Sequence, residues 1–179
     1  MKSITYKIIV LCLTLAFGTN LMAQQNDVRT EVLLLDYLTG YCDEGEEITF
    51  IGFIQNNAQT VEPALIVFVR EGVPDKMVDG LQANLIRQYN NRQKLLSEDL
   101  NFGLSEEDIE LVRSESQEEF NERMVQEFRD GFMTQAIFGL SLINTSEAQA
   151  LVKQIAADEN NPYQRSAQNA VNKVYLKQK

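Results

Sequence analysis

The sequence contains no histidine, and this absence excludes much of the usual chemistry of enzymes. Histidine is the commonest general base and the commonest zinc ligand, so the usual hydrolase triads and histidine-bound zinc are both excluded. The Ser-x-x-Lys, Gly-x-Ser-x-Gly and Gly-x-x-x-x-Gly-Lys patterns of other catalytic or phosphate-binding sites do not occur. The sequence therefore predicts no catalytic residue, no metal ligand and no cofactor.

Cysteine is nearly absent as well, with Cys12 and Cys42 as its two occurrences. Cys12 falls in an N-terminal segment that we expect to be removed, which leaves Cys42 as the one mature thiol. A single thiol can form neither an internal disulfide nor a thiolate metal cluster. Two interpretations of Cys42 remain, a small buried hydrophobic residue or a disulfide between two chains.

The first 23 residues have the three-part layout of a secretory signal peptide. Two lysines precede an apolar run over residues 8–17, and a polar-interrupted stretch then ends at the small residue Ala23. Ten helical residues reach about 15 Å, half of a bilayer core of about 30 Å, so a membrane anchor fits less well than cleavage. We expect cleavage near Ala23, a mature chain beginning at Gln24, a secreted or periplasmic location, and no stable membrane anchor.

Basic residues are outnumbered by acidic ones, 16 to 26. Residues 1–23 carry two lysines and no acid, so residues 24–179 hold 14 basic and 26 acidic residues, a net charge of −12. Nucleic-acid binding depends on cations that neutralise phosphates, so this balance argues against nucleic acid and against an anionic membrane surface. A basic protein partner fits the charge, as does acidity that only maintains solubility.

The apolar pattern predicts one all-α domain of seven or eight short helices over residues 24–179, because no stretch alternates like a half-buried strand. Residues 61–69 are β-branched enough to suggest a strand, but the stop at Gly72 favours a helix. We expect two helices over 28–41 and 46–57, separated by a break at Asp43-Glu44-Gly45. A third helix is capped by Thr60, with Pro63 in its first turn, and a fourth is capped by Asp75. A long helical stretch follows a capping box at Ser105 and Asp108, and two last helices begin at Asn144-Thr145 and Asn161-Pro162.

The long helical stretch has an unusual apolar spacing, since its large side chains recur every fourth residue from Phe120 to Leu140. Each such step rotates the apolar side by about 40°, so five steps rotate it by about 200°. One straight helix cannot show this stripe to a single partner. We expect either a bend or break near Asp130-Gly131 or a central location for residues 132–143.

Charge is unevenly distributed along the chain. Residues 97–130 hold 12 acidic and three basic residues, whereas residues 153–179 hold two acidic and five basic ones. The acidic stretch is either the solvated side of a long helix or a docking face for a basic partner or a cation. Asn144-Thr145-Ser146 is either a helix cap or, in a eukaryotic secretory pathway, a glycosylation sequence.

Two segments resemble each other at an offset of 86 residues, which pairs Leu85 with Val171 and Tyr89 with Tyr175. Two helical pairs of about 43 residues each would span that offset. Segment 145–178 resembles a HEAT or armadillo-like repeat, whose second helix follows an Asp/Asn-Pro start with an arginine and several alanines; the matching residues are Asp158, Asn161, Pro162, Arg165, Ala167, Ala170 and Val171. The resemblance implies an α-solenoid that binds proteins along a concave surface without catalysis.

The main functional prediction is an exported, non-catalytic protein–protein interaction module with an unidentified, basic partner. The alternative is a carboxylate-dependent cell-wall glycan hydrolase of lysozyme-like type, in which one glutamate with a raised pKa acts as general acid. Glu115-Ser116 is the nearest match to the start of the lytic transglycosylase motif, but the glycine-rich segment of that motif is absent. Candidate general acids are Glu106, Glu107, Glu110, Glu115, Glu118, Glu119, Glu122 and Glu127.

Overall fold

The computed structural model describes residues 29–39, 44–97 and 105–176, and every regular element in these ranges is an α-helix. The all-α prediction is therefore confirmed for this part of the chain. Helix α1 covers residues 29–39 and is followed by α2 (Glu44–Asn56), α3 (Ala58–Glu71), α4 (Asp75–Ser97), α5 (Glu106–Ser114), α6 (Gln117–Ser141), α7 (Ser146–Ala157) and α8 (Gln164–Leu176). The predicted signal peptide and Cys42 lie outside these ranges.

None of the helices in the described ranges combines the length and the apolar character that crossing a bilayer requires.

Helix α6 is the centre of the fold and packs against α2, α3, α4, α7 and α8. The side chains of Phe132, Ala136, Ile137 and Leu140 are at most 1 % exposed. The central location expected for residues 132–143 is therefore confirmed. No break occurs near Asp130-Gly131, because α6 is continuous there and several helices share its rotating apolar stripe, whereas the bend expected as the alternative to a break stays a prediction.

Gly139 allows α2 and α3 to approach α6 closely. A Cβ atom at this position would lie 3.1 Å from Cζ of Phe50 and 3.5 Å from Cδ1 of both Ile54 and Leu65. Such distances are at or below ordinary van der Waals contact, so a larger side chain would push these helices apart.

A capping box that the sequence analysis did not identify lies at Ser116 and Glu119. The Ser116 hydroxyl accepts a hydrogen bond from the Glu119 amide, and the Glu119 carboxylate accepts one from the Ser116 amide. The expected long stretch is thereby divided into α5 and α6, about one turn after Val112. The side chain of Asp108 lies outside what the structure describes, so the capping box expected at Ser105 and Asp108 stays a prediction.

Three further boundaries correct the sequence prediction. Helix α2 begins at Glu44, two residues earlier than expected, so Glu44 and Gly45 of the expected break belong to the helix and Asp43 lies outside the described residues. Helix α3 begins at Ala58 after Asn57, so Thr60 is inside the helix and Pro63 lies a turn deeper than expected. Asp75 is the first residue of α4 and not its cap, because the amides of Met77 and Val78 donate to the carbonyl oxygen of Pro74.

Two other boundaries agree with the sequence prediction. Residues 61–69 are helical and not a strand. Thr145 caps α7, its hydroxyl accepting a hydrogen bond from the Ala148 amide.

Helices α7 and α8 pack on each other, whereas α4 packs mainly on α6. The described residues give no evidence of a repeat, so the HEAT-like solenoid stays a prediction.

Candidate binding site

Glu115, between α5 and α6, is the centre of a cluster of ion pairs. Its carboxylate accepts hydrogen bonds from Arg92 of α4 and Arg123 of α6, with N···O distances of 2.6 Å and 2.8 Å. Arg123 also donates to Glu127, at 2.8 Å. Both guanidinium groups lie over the ring of Phe120, 5.2 Å and 5.5 Å from its centroid. One carboxylate thus joins α4 to α6, and cation–π contacts reinforce the connection.

The electrostatics of Glu115 are the opposite of those of a general acid. The hydrogen bond from Arg123 lowers the pKa of Glu115, partial burial opposes this effect, and Arg92 lowers the pKa further. A general acid near neutral pH needs a raised pKa, because it must hold its proton until the reaction. The Glu115 side chain is 14 % exposed, so this residue of the acidic stretch does not belong to a solvated helix side.

The other candidate general acids face solvent. All seven have exposed side chains, so no two of them are buried together; they are Glu106, Glu107, Glu110, Glu118, Glu119, Glu122 and Glu127. Exposure agrees with both interpretations of the acidic stretch, a solvated helix side and a docking face, so both stay predictions. Among the residues that the structure describes, no three or more cysteine or carboxylate side chains are grouped so as to hold a metal ion.

A polar depression of about 590 Å³ lies between α4 and α6 and is lined by Gln82, Asn121 and Arg129, among others. The Oδ1 atom of Asn121 is buried and has no hydrogen-bond partner. Because this oxygen is closed to solvent, a ligand could reach it only after the side chain moved. This oxygen therefore offers no preformed contact to a ligand in the depression.

A second, largely apolar depression of about 550 Å³ is bounded by α1, α4 and α6, and we call it the α6 groove. Its most buried side chains are Leu38 and Phe132, which are 2 % and 1 % exposed. Three partly exposed side chains surround them, Leu81 of α4 and Met124 and Phe128 of α6. The Phe128 and Phe132 rings lie 6.3 Å apart, within the range of aromatic contact.

The edge of the α6 groove carries two exposed carboxylates, those of Glu127 and Asp130. Asp130 accepts hydrogen bonds from Gln126 at 2.8 Å and from the Tyr163 hydroxyl at 3.2 Å. Burial raises the pKa of Tyr163, and the charge of Asp130 adds to this effect. No lysine or arginine lines the groove in the described part of the chain. The edge is therefore negatively charged.

Gly131 lies on the surface of the α6 groove, in the interior of a 25-residue helix. A glycine in a helix interior destabilises the helix by about 1 kcal/mol relative to alanine. No packing in the described structure requires it, because a Cβ atom at Gly131 would meet nothing within 4 Å. Its physical effect is to leave the backbone of α6 uncovered and the groove open.

Comparison of the chain with known protein families, curated proteins and solved structures finds no match.

The sequence pattern did not indicate the α6 groove. Met124, Phe128 and Phe132 are visible in the sequence as part of the four-residue spacing, and that spacing was the available signal. Leu38 and Leu81 belong to helices far away along the chain, and only tertiary packing brings them to the same depression.

Proposed function

We propose that the mature chain is an exported, non-catalytic protein–protein interaction module and that the α6 groove is its contact site. The proposal rests on one observation above all, a depression of apolar side chains that stays open to water. Burying apolar surface contributes about 25 cal/mol per Å², so a partner that covers Leu81, Met124 and Phe128 gains free energy.

The composition of the groove suits a helical or extended peptide segment. Grooves bounded by helices and lined by leucine, methionine and phenylalanine typically accept apolar side chains at successive turns of a ligand helix. Met124 is unbranched and flexible, which lets such a surface adapt to the shape of an incoming side chain. An enzyme cleft would instead need polar groups that converge on one point.

Two observations favour a non-catalytic role over glycan hydrolysis. The chain lacks histidine, and the most buried of the candidate glutamates, Glu115, has a lowered pKa. A hydrolase of this kind needs one carboxyl that desolvation keeps protonated. Export follows from the N-terminal layout, with cleavage near Ala23.

Site-specific photocrosslinking of the exported protein tests the contact site. A photoreactive residue is placed at Thr134, which is exposed in the groove, or at Gln168, an exposed position on α8 that does not line it. The exported form is first checked for a terminus at Gln24. The crosslinked partner is identified by mass spectrometry, and its affinity for the wild type and for Gly131→Leu is then measured with purified proteins.

Adducts at Thr134 but not at Gln168, with weaker binding of the purified partner to Gly131→Leu, would support the proposal. Equal affinity for the two forms would contradict the contact site. Release of fragments from peptidoglycan, abolished by one Glu→Gln substitution among the eight candidates, would contradict the non-catalytic role.

A further inference from the structure

The charges around the α6 groove are not evenly balanced. The Glu115 cluster contains two arginines and two glutamates, Arg92, Arg123, Glu115 and Glu127, so its net charge is zero. Asp130 adds a further carboxylate, whose hydrogen-bond donors Gln126 and Tyr163 are both neutral. Arg129 follows Phe128 in the sequence, but it lines the polar depression and not the groove.

The groove thus presents apolar walls next to an exposed carboxylate edge. The same half of α6 exposes Glu118, Glu119 and Glu122, and the whole chain has a net charge of −10. This field attracts cationic ligands and repels anionic ones, which affects both the encounter rate and the choice of partner. Phosphate-rich surfaces are therefore poor ligands for this site.

We infer that the occupant of the α6 groove is a partner segment in which apolar anchor residues adjoin a lysine or arginine, an inference that rests on the proposed function. The anchors contact Leu81, Met124 and Phe128, and the cation lies against Asp130, because Glu127 is already paired with Arg123. Burial of the anchors supplies most of the affinity, whereas the cation selects the partner and its orientation.

Gly131 has a defined part in this arrangement. Because it has no side chain and nothing lies within 4 Å of a Cβ placed there, an anchor can rest directly on the α6 backbone between Phe128 and Gln135. A leucine at this position would fill that space. The substitution also replaces a helix-interior glycine with a better helix former, so it blocks the groove without destabilising the fold.

A second copy of this chain is a weaker occupant. Residues 153–179 are basic, but two molecules that each carry a net charge of −10 repel each other. Self-association is accordingly one of the results that would overturn the inference.

Direct binding of designed peptides to the mature protein tests the inference. The probes are labelled amphipathic peptides of about 18 residues, built from leucine and lysine, from leucine and glutamate, or from serine and lysine. We expect the leucine–lysine peptide to bind at least about tenfold more tightly than either of the other two. Fluorescence anisotropy at two salt concentrations gives the affinities.

Matched variants locate the binding. Gly131→Leu should weaken the leucine–lysine peptide about tenfold or more, whereas Gly52→Leu, in α2 and with equally open space, should not. Asp130→Asn should weaken it about threefold to tenfold and reduce the salt dependence. Glu106→Gln, an exposed acid on α5, is the charge control and should change the affinity by less than about twofold.

The possible failures are distinguishable. Equal binding of the leucine–glutamate peptide, or equal effects of Asp130→Asn and Glu106→Gln, would overturn the basic partner but leave the groove as a contact site. An affinity unchanged by Gly131→Leu, for both the peptide and the crosslinked protein, would overturn the proposed function as well. Oligomers that Gly131→Leu dissociates would show that the occupant is a second copy.

Discussion

The two halves of α6 belong to one continuous helix but are held by different forces. Seven of the ten residues from 132 to 141 are buried, and Gly139 among them lies against Phe50, Ile54 and Leu65. Residues 117–130 have one buried side chain, Phe120, and are tied to α4 by the Glu115 cluster. The comparison teaches that one helix can serve as the core at one end and as a surface at the other.

The α6 groove lies where these two environments meet. Phe132 belongs to the core, whereas Met124 and Phe128 extend the apolar stripe beyond the helices that cover it. The carboxylates of Glu127 and Asp130 stand beside this uncovered apolar surface. The proposed partner would therefore bind at the boundary between the buried and the exposed half of α6, without disturbing the packing that holds the domain together.

The largest expected effect separates the two halves by the depth of burial. Leu140→Ala should lower the free energy of unfolding by about 2–5 kcal/mol, because the side chain is fully buried and its removal leaves a cavity. Leu95→Ala, the same change at a side chain that is 40 % exposed, is the control and should cost less than about 1 kcal/mol. Leu95 lies in α4, so urea unfolding of both variants compares a core position with a surface position, and similar costs would contradict the core position of Leu140.

A pair of glycine substitutions in the same helix sharpens the comparison. Gly139→Leu should lower the free energy of unfolding by about 1–3 kcal/mol, because the new leucine side chain must displace Phe50. Gly131→Leu should instead stabilise by about 0.5–1 kcal/mol, since the helix gains a better former and the space is open. Thermal and urea unfolding measure whether each substitution raises or lowers the free energy of unfolding. Destabilisation by Gly131→Leu would show that the groove is already filled.

The smallest of the three destabilising effects, and the one that depends on pH, belongs to Glu115. Glu115→Gln should cost about 1–2 kcal/mol at pH 7, below the roughly 3–5 kcal/mol of a fully buried pair, because water screens the partly exposed arginines. Glu110→Gln, an exposed acid on α5, is the matched control and should have little effect.

The sign of the pH dependence follows from the lowered pKa of Glu115. Its stabilising contribution is fully present above the ordinary value of 4.5 and disappears as the pH falls through the lower value of the folded state. The difference between wild type and Glu115→Gln should therefore be constant from pH 6 to 8 and shrink below about pH 4. A difference that grows towards low pH would contradict the cluster geometry.

Local signals in the sequence predicted some of the helix ends correctly. Thr145 caps α7 because its hydroxyl satisfies an amide three residues later, and this contact needs no tertiary partner. The sequence analysis did not identify the capping box at Ser116 and Glu119, where α6 begins. The break that it allowed near Gly131 is absent, because neighbouring residues and tertiary packing keep α6 continuous through this glycine.

The sequence by itself determined the fold class, since apolar spacing and capping residues act over a few residues of chain. Its lack of histidine likewise determined which catalytic groups are absent. Only the tertiary structure decided which side of α6 is covered, that Glu115 lies between two arginines, and that Leu38 and Leu81 share a groove with Phe128. These contacts join residues far apart in the chain, and their free energy depends on close packing that no local pattern encodes.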